Sequence, residues 1–295
     1  MSRAVIRDLG YQAYDGPRKL GNRVWVITAV GLKAAWKSRW SKVLGVFSLI
    51  AAAGFGVAIY LTLKVQDITG KMGVPMPKMI HKLLVADHYV GDAINLCGSF
   101  FGFFIAVLVA GPALADDLKG GGLNFHFTRP VTHRDYVIGK ILPTTLAIAA
   151  LALIPALMLG LMRLALSPQW EPLSTPLLTL SKGLLFSAVA AVSLSVPAVA
   201  LSSLTVRRGI ARTLWALLYW IPPAVGGALM GITKDRKYLV ISLNGGLESI
   251  KDRLFGSDKQ QLAEHWQLAV LILAAHVAVG LFLVYYRVRQ GEKKG

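Results

Sequence analysis

The sequence holds a single cysteine, Cys97, so no intrachain disulfide is possible. It is also poor in charge: 16% of its 295 residues are charged, whereas 55% are hydrophobic, and its mean hydropathy is +0.55. Soluble domains carry about 25% charged residues, and a folded core of this length could not hide so much apolar surface. Carboxylates are scarcest of all, with 15 Asp and Glu against 32 Lys and Arg. The glutamates are Glu171, Glu248, Glu264 and Glu292, and none falls inside a long apolar run. There is no H-E-x-x-H zinc pair, and Gly98-Ser99 lacks the glycine that would suggest an intramembrane serine protease. The phosphate-binding pattern G-x-x-x-x-G-K-[ST] is missing too: Gly70-Lys71 and Gly139-Lys140 both lack the upstream glycine. Hydrolysis of ATP by the usual route is therefore excluded, and neither zinc proteolysis nor catalysis by an intramembrane serine is expected. No cleavable signal peptide is expected, because basic residues fill the start and the first long apolar run begins near Val43.

What is present is a set of apolar runs of spanning length, about 20 residues each. Six are expected, over 43–63, 93–115, 136–166, 183–206, 210–232 and 267–286. The fold expected is an all-α integral membrane protein with an N-terminal amphipathic interfacial helix and a short cytoplasmic coupling element between spans 2 and 3. It divides into an N-terminal segment (1–42), a membrane domain (43–286) and a basic tail (287–295). The net charge of +17 would suit nucleic acid, but it is confined to segments between apolar runs, which points to anionic lipid instead. Lys and Arg are richer in the N-terminal segment, the 2–3 and 4–5 loops and the tail than in the other loops, and Arg207, Arg208 and Arg212 crowd the 4–5 loop. The positive-inside rule then places both termini in the cytoplasm.

Residues 18–42 read as one interfacial helix. Trp25, Ala29, Leu32 and Trp36 share a face at helical spacing, with Trp40 at its edge and Arg23, Lys33 and Lys37 away from it. Tryptophan prefers the headgroup level, so these residues suit a membrane surface; packing on a partner helix is the plainer alternative. Outside, residues 77–86 fit a short amphipathic helix, and Ser257-x-x-Gln260 fits a capping box leading into the sixth span. Pro143, Pro155, Pro197, Pro222 and Pro223 interrupt spans 3, 4 and 5.

The informative stretch is GPALADDLKGGGLNFHFTRPVTHRDYVIGK, residues 111–140. Glycines 120–122 and the Thr128-Arg129-Pro130 turn break the helix twice, and Thr132-x-x-Asp135 is a capping box that restarts it. A short apolar element with Leu123, Phe125 and Phe127 hangs between the breaks, to be covered by headgroups or by a groove on a partner.

This block resembles the signature of the ABC-2 type permeases, the membrane subunits of one class of ATP-binding-cassette exporters. Asp116/Asp117, Gly122-Leu123, Thr128-Arg129-Pro130, Arg134, Tyr136-Val137 and Gly139-Lys140 match it in order, and the six-span layout extends the match to most of the chain. The extra glycines and His126 depart from the more helical residues usual there. The resemblance implies a bacterial inner-membrane permease, possessing no cofactor or metal of its own and joined to two copies of an ABC ATPase that carry ATP and Mg. It implies a second permease copy or a related permease. It also implies a coupling loop at 116–135, in which Asp116, Asp117, Leu123, Phe125, Phe127, Arg129 and Arg134 meet the ATPase. Nearly charge-free spans favour lipid-like or amphipathic cargo. The alternative is a membrane anchor or mechanotransmitter acting on an external partner protein.

Four further features have ordinary structural explanations. Arg163, near the outer end of span 3, would snorkel to the interface or meet an anionic headgroup. His276 in span 6 would hydrogen-bond between helices. Met72, Met76, Met79, His81 and His88 form a loose soft-ligand cluster, which packing of an amphipathic helix also explains. Cys97 is expected as a small core residue.

Overall fold

The computed structural model describes residues 22–72, 86–120, 132–167, 171–256 and 260–292. Among them all regular structure is helical: α1 (Arg23–Lys37), α2 (Arg39–Met72), α3 (Ala86–Lys119), α4 (His133–Ala165), α5 (Ser174–Ser203), α6 (Arg208–Thr233), α7 (Leu243–Phe255) and α8 (Trp266–Glu292), with a 3₁₀ turn at Arg236–Ile241 and a single helical turn at Gln260–Ala263. Six of these, α2 to α6 and α8, are long and apolar enough to cross a bilayer. The protein is a multi-pass membrane protein with the expected number of spans.

Most spans are longer than their apolar runs. The second begins at Ala86 rather than Ala93, because Asp87 and Asp92 stay helical with their carboxylates matched by Arg163 and Lys251. The third starts where the capping spacing predicts: Thr132 Oγ1 accepts from Asp135 N at 3.2 Å, and Asp135 Oδ2 accepts from Thr132 N at 3.3 Å. Arg208 and Arg212, expected in the 4–5 loop, belong to α6, because the turn between α5 and α6 is only residues 204–207.

Helix α5 lies at the centre, packed on α3, α4 and α8. Lipid tails offer no hydrophobic drive between helices, so close approach of small residues matters most. Along α5, Ser187, Ala190, Ala191, Ser195 and Ser202 are buried. Its hydroxyls are satisfied locally, as in Ser187 Oγ to Gly183 O at 2.8 Å, or across helices, as in Ser195 Oγ and Thr145 Oγ1 at 2.7 Å. At Gly160 of α4 an added Cβ would sit 2.6 Å from Leu180 Cδ1, so a larger residue would have to displace that side chain for the crossing to stay this close.

Helix α3 winds as a π-helix over Leu96–Phe101. Such a bulge redirects carbonyls, and here α6 uses the region. Tyr219 Oη donates to Ser99 O at 3.2 Å, and Trp215 Nε1 donates to Phe103 O at 3.2 Å. Phe103 packs against both rings. On the other side Cys97 is buried, with Sγ 3.5 Å from Ser48 O of α2, a core residue as expected.

The N-terminal helix differs from the expectation of one helix over 18–42. It is capped by Asn22, whose Oδ1 accepts from Val24 N, and it ends where Ser38 turns extended (φ −67°, ψ 125°). Trp40 therefore stands on α2. One face of α1 packs on α4: a Cβ on Gly31 would lie 2.5 Å from Pro143 Cγ, and one on Gly139 would lie 2.8 Å from Ile27 Cβ. The tryptophans point elsewhere, with Trp25 57%, Trp36 75% and Trp40 69% exposed. Residues 77–85 of the expected helix at 77–86, and the Ser257 cap, lie outside the described residues.

Candidate functional site

The signature block straddles α3 and α4, and the structure joins its two halves. Asp117, in the last turn of α3, is half-buried. Lys140 Nζ of α4 lies 2.6 Å from its Oδ2, and Tyr136 Oη of the same helix donates to that oxygen. Lys140 also lies 5.5 Å from the centre of the Tyr136 ring. Tyr136 and Lys140 are four residues apart, hence on one face of α4, and that face is turned to Asp117. A charge-assisted pair and a phenol on one carboxylate brace the two helices beside the loop that connects them.

The remaining site residues separate by exposure. Asp116 and Arg134 are exposed on either side of this brace, free to meet another molecule. Leu123, Phe125, Phe127 and Arg129 lie outside the described residues. Thus Asp117 faces inward, while Asp116 and Arg134 face outward. Arg212 extends the brace to α6: its Nε donates to Val107 O at 3.2 Å, and its Cγ lies where a Cβ on Gly111 would be only 2.8 Å away.

At the opposite end of the bundle, about 45 Å along α3 by helical rise, the ion pairs are of a different kind. Arg163 is only 6% exposed and does not snorkel. Its Nε donates to Asp87 Oδ1 at 3.1 Å, and its Nη1 and Nη2 grip both oxygens of Glu171. The correction has a plain cause: two carboxylates from the extended α3 and the lead-in to α5 satisfy the guanidinium in place, so it has no need of the interface. Nearby, Lys251 Nζ lies 2.7 Å from Asp92 Oδ1 and 3.3 Å from Asp252 Oδ1. Burial opposes the ammonium charge of Lys251, but the Asp92 hydrogen bond and the charges of Asp92, Asp252 and Glu248 outweigh it and raise its pKa.

His276 is also corrected. Its Nδ1 lies 2.8 Å from Ile272 O, one turn back on α8, so this contact is within a helix rather than between helices. Of the methionine and histidine cluster, Met76, Met79 and His81 lie outside the described residues. Among the described residues no group of three His, Cys, Asp or Glu side chains could hold a metal ion.

Sequence reasoning found the members of the brace but not their pairing. It missed Asp87, Glu171 and Lys251 entirely, since each looked like an isolated polar residue beside an apolar run. The family model described as ABC-2 family transporter protein matches residues 25–288, nearly the whole chain. No curated protein matches the sequence.

Proposed function

We infer the role of the chain from one premise: it belongs to the ABC-2 family of transporter proteins, and is a permease subunit of an ABC transporter. Permeases of this family work with an ABC ATPase. We propose that the ATPase docks on the loop 116–135, that Leu123, Phe125, Phe127, Arg129 and Arg134 form the contact, and that Asp117 holds the loop's base to α4. ATP and Mg would reside on the ATPase, two copies of which would serve two permeases in a bacterial inner membrane with both permease termini cytoplasmic.

The observation that supports this reading is the Asp117–Lys140–Tyr136 brace. A closing motor can move spans only through a stiff contact, and a loop whose two flanking helices are locked together passes a push to both at once. The cargo we propose is lipid-like or amphipathic. Among the described residues, Asp117 with Lys140 and Asp87 with Arg163 are span charges paired toward opposite ends of the helices, and the long apolar stretches between them suit apolar cargo.

The test is ATP hydrolysis by the permease reconstituted with its ATPase. Replacing Leu123, Phe125 and Phe127 together with aspartate is expected to abolish the stimulation of the ATPase by the permease while leaving the bundle folded. Unchanged stimulation would remove the loop from the coupling path. Reconstituted cargo movement separates the transport reading from a mechanical role on an external partner, which predicts hydrolysis without transport.

A further inference from the structure

Between α1, α3 and α4 lies a cavity of about 780 Å³, a size suited to a small-molecule ligand. Its inner walls are apolar, formed by Val26, Val30 and Ala34 on one side and Leu108, Val109 and Pro112 on the other. Arg23, Asp116, Asp117 and Lys140 also line it, and their formal charges cancel. Lys140 and Asp117 pair with each other, whereas Arg23 and Asp116 have no ion-pair partner among the described residues.

Two more lining residues carry unmet hydrogen-bonding groups. Thr144 is fully buried, one turn further into α4 than Lys140, and its Oγ1 has no hydrogen-bond partner; the buried Ser41 Oγ has none either. Buried hydroxyls are ordinarily paired, and leaving one unpaired is costly. A back-bond to the carbonyl one turn earlier would satisfy Thr144, as Thr145 does with Ile141 O, yet Thr144 does not make it. Both oxygens lie behind the cavity wall, so the cavity itself offers an apolar trough and a head region with one free cation and one free carboxylate.

We propose that this cavity binds one glycerophospholipid whose head carries both a phosphate and a primary ammonium. The chemistry matches group by group. An acyl chain fills the trough between α1 and α3, the phosphate meets Arg23, and the ammonium meets Asp116. An anionic head such as phosphatidylglycerol would bring its net charge to a site that holds two carboxylates, with only neutral hydroxyls to offer Asp116. A quaternary ammonium would reach Asp116 without a hydrogen bond to donate. The exposed Trp25 and Trp36 place α1 where headgroups are available. The lipid wedges α1 against the brace at the loop's base. The inference rests on the chain being a membrane protein, and not on the coupling role.

The test is native mass spectrometry of the full-length chain in micelles doped equally with phosphatidylethanolamine, phosphatidylcholine and phosphatidylglycerol. One retained phosphatidylethanolamine per chain is expected, preferred about tenfold over the other two. D116N should erase the preference over phosphatidylcholine, and R23Q should weaken retention of all three; both positions are exposed, so the bundle should survive. Retention of phosphatidylglycerol at equal or higher level, no retained lipid, or D116N and R23Q both behaving as wild type would each overturn the assignment. No ATPase is involved in the readout, so its outcome is independent of whether the loop couples.

Discussion

Lys140 Nζ lies 2.6 Å from Asp117 Oδ2, joining two helices that are separated in sequence by the whole signature loop. Both side chains are only about one-fifth exposed, so the pair is shielded more than a surface ion pair. Removing one partner leaves the other charge behind, whereas removing both does not. D117N and K140M are each expected to destabilise the bundle by about 1–3 kcal/mol, and the double variant by less than their sum. Thermal unfolding of the four proteins in one detergent measures the coupling. Strict additivity would show that the contact contributes nothing.

Arg163 is the counterpart of this pair at the other end of the bundle. Two acids, Asp87 and Glu171, depend on it, and both of its terminal nitrogens are committed to Glu171. R163M is expected to cost about 3 kcal/mol, near the low end for breaking a buried pair because the acids retain some solvent contact. R163K should recover only part, since an ammonium cannot reproduce the two-pronged geometry. Equal melting temperatures for R163M and wild type would show that the network is dispensable.

Gly31 is the point where α1 closes on α4. Any side chain there collides with Pro143, which cannot swing away as a flexible side chain would. G31V is therefore expected to pry α1 off α4, with an overpacking cost of about 1–3 kcal/mol. Limited proteolysis should then cut near Ser38, the extended residue between α1 and α2. A cleavage pattern identical to wild type would mean that α1 is held from elsewhere.

The spans were legible because lipid demands length and apolarity, and little else in a sequence has that form. The capping box at Thr132 was legible for a similar reason: its two hydrogen bonds are local, so spacing alone specifies them. The break at Ser38 was not, because nothing in the Trp25–Trp40 pattern distinguishes one long helix from two. Long-range pairs were the hardest. Arg163 looked like an interfacial arginine until Asp87 and Glu171 were brought to it from 76 and 8 residues away. Its first partner is reached only because the polar start of α3 stays helical. Asp117, Tyr136 and Lys140 were all picked out by the signature, yet their roles divide only in three dimensions, where one carboxylate of the Asp116-Asp117 pair turns inward and the other outward.

The central claim is that residues 116–135 face the compartment that holds the ATPase, in a chain that crosses the bilayer six times. Single cysteines at 116, 134 and 173, introduced into a C97A background, can be labelled in intact cells with a membrane-impermeant maleimide. The account predicts labelling at 173 in intact cells, and at 116 and 134 only after the cells are permeabilised. Labelling of 116 or 134 from outside would contradict it.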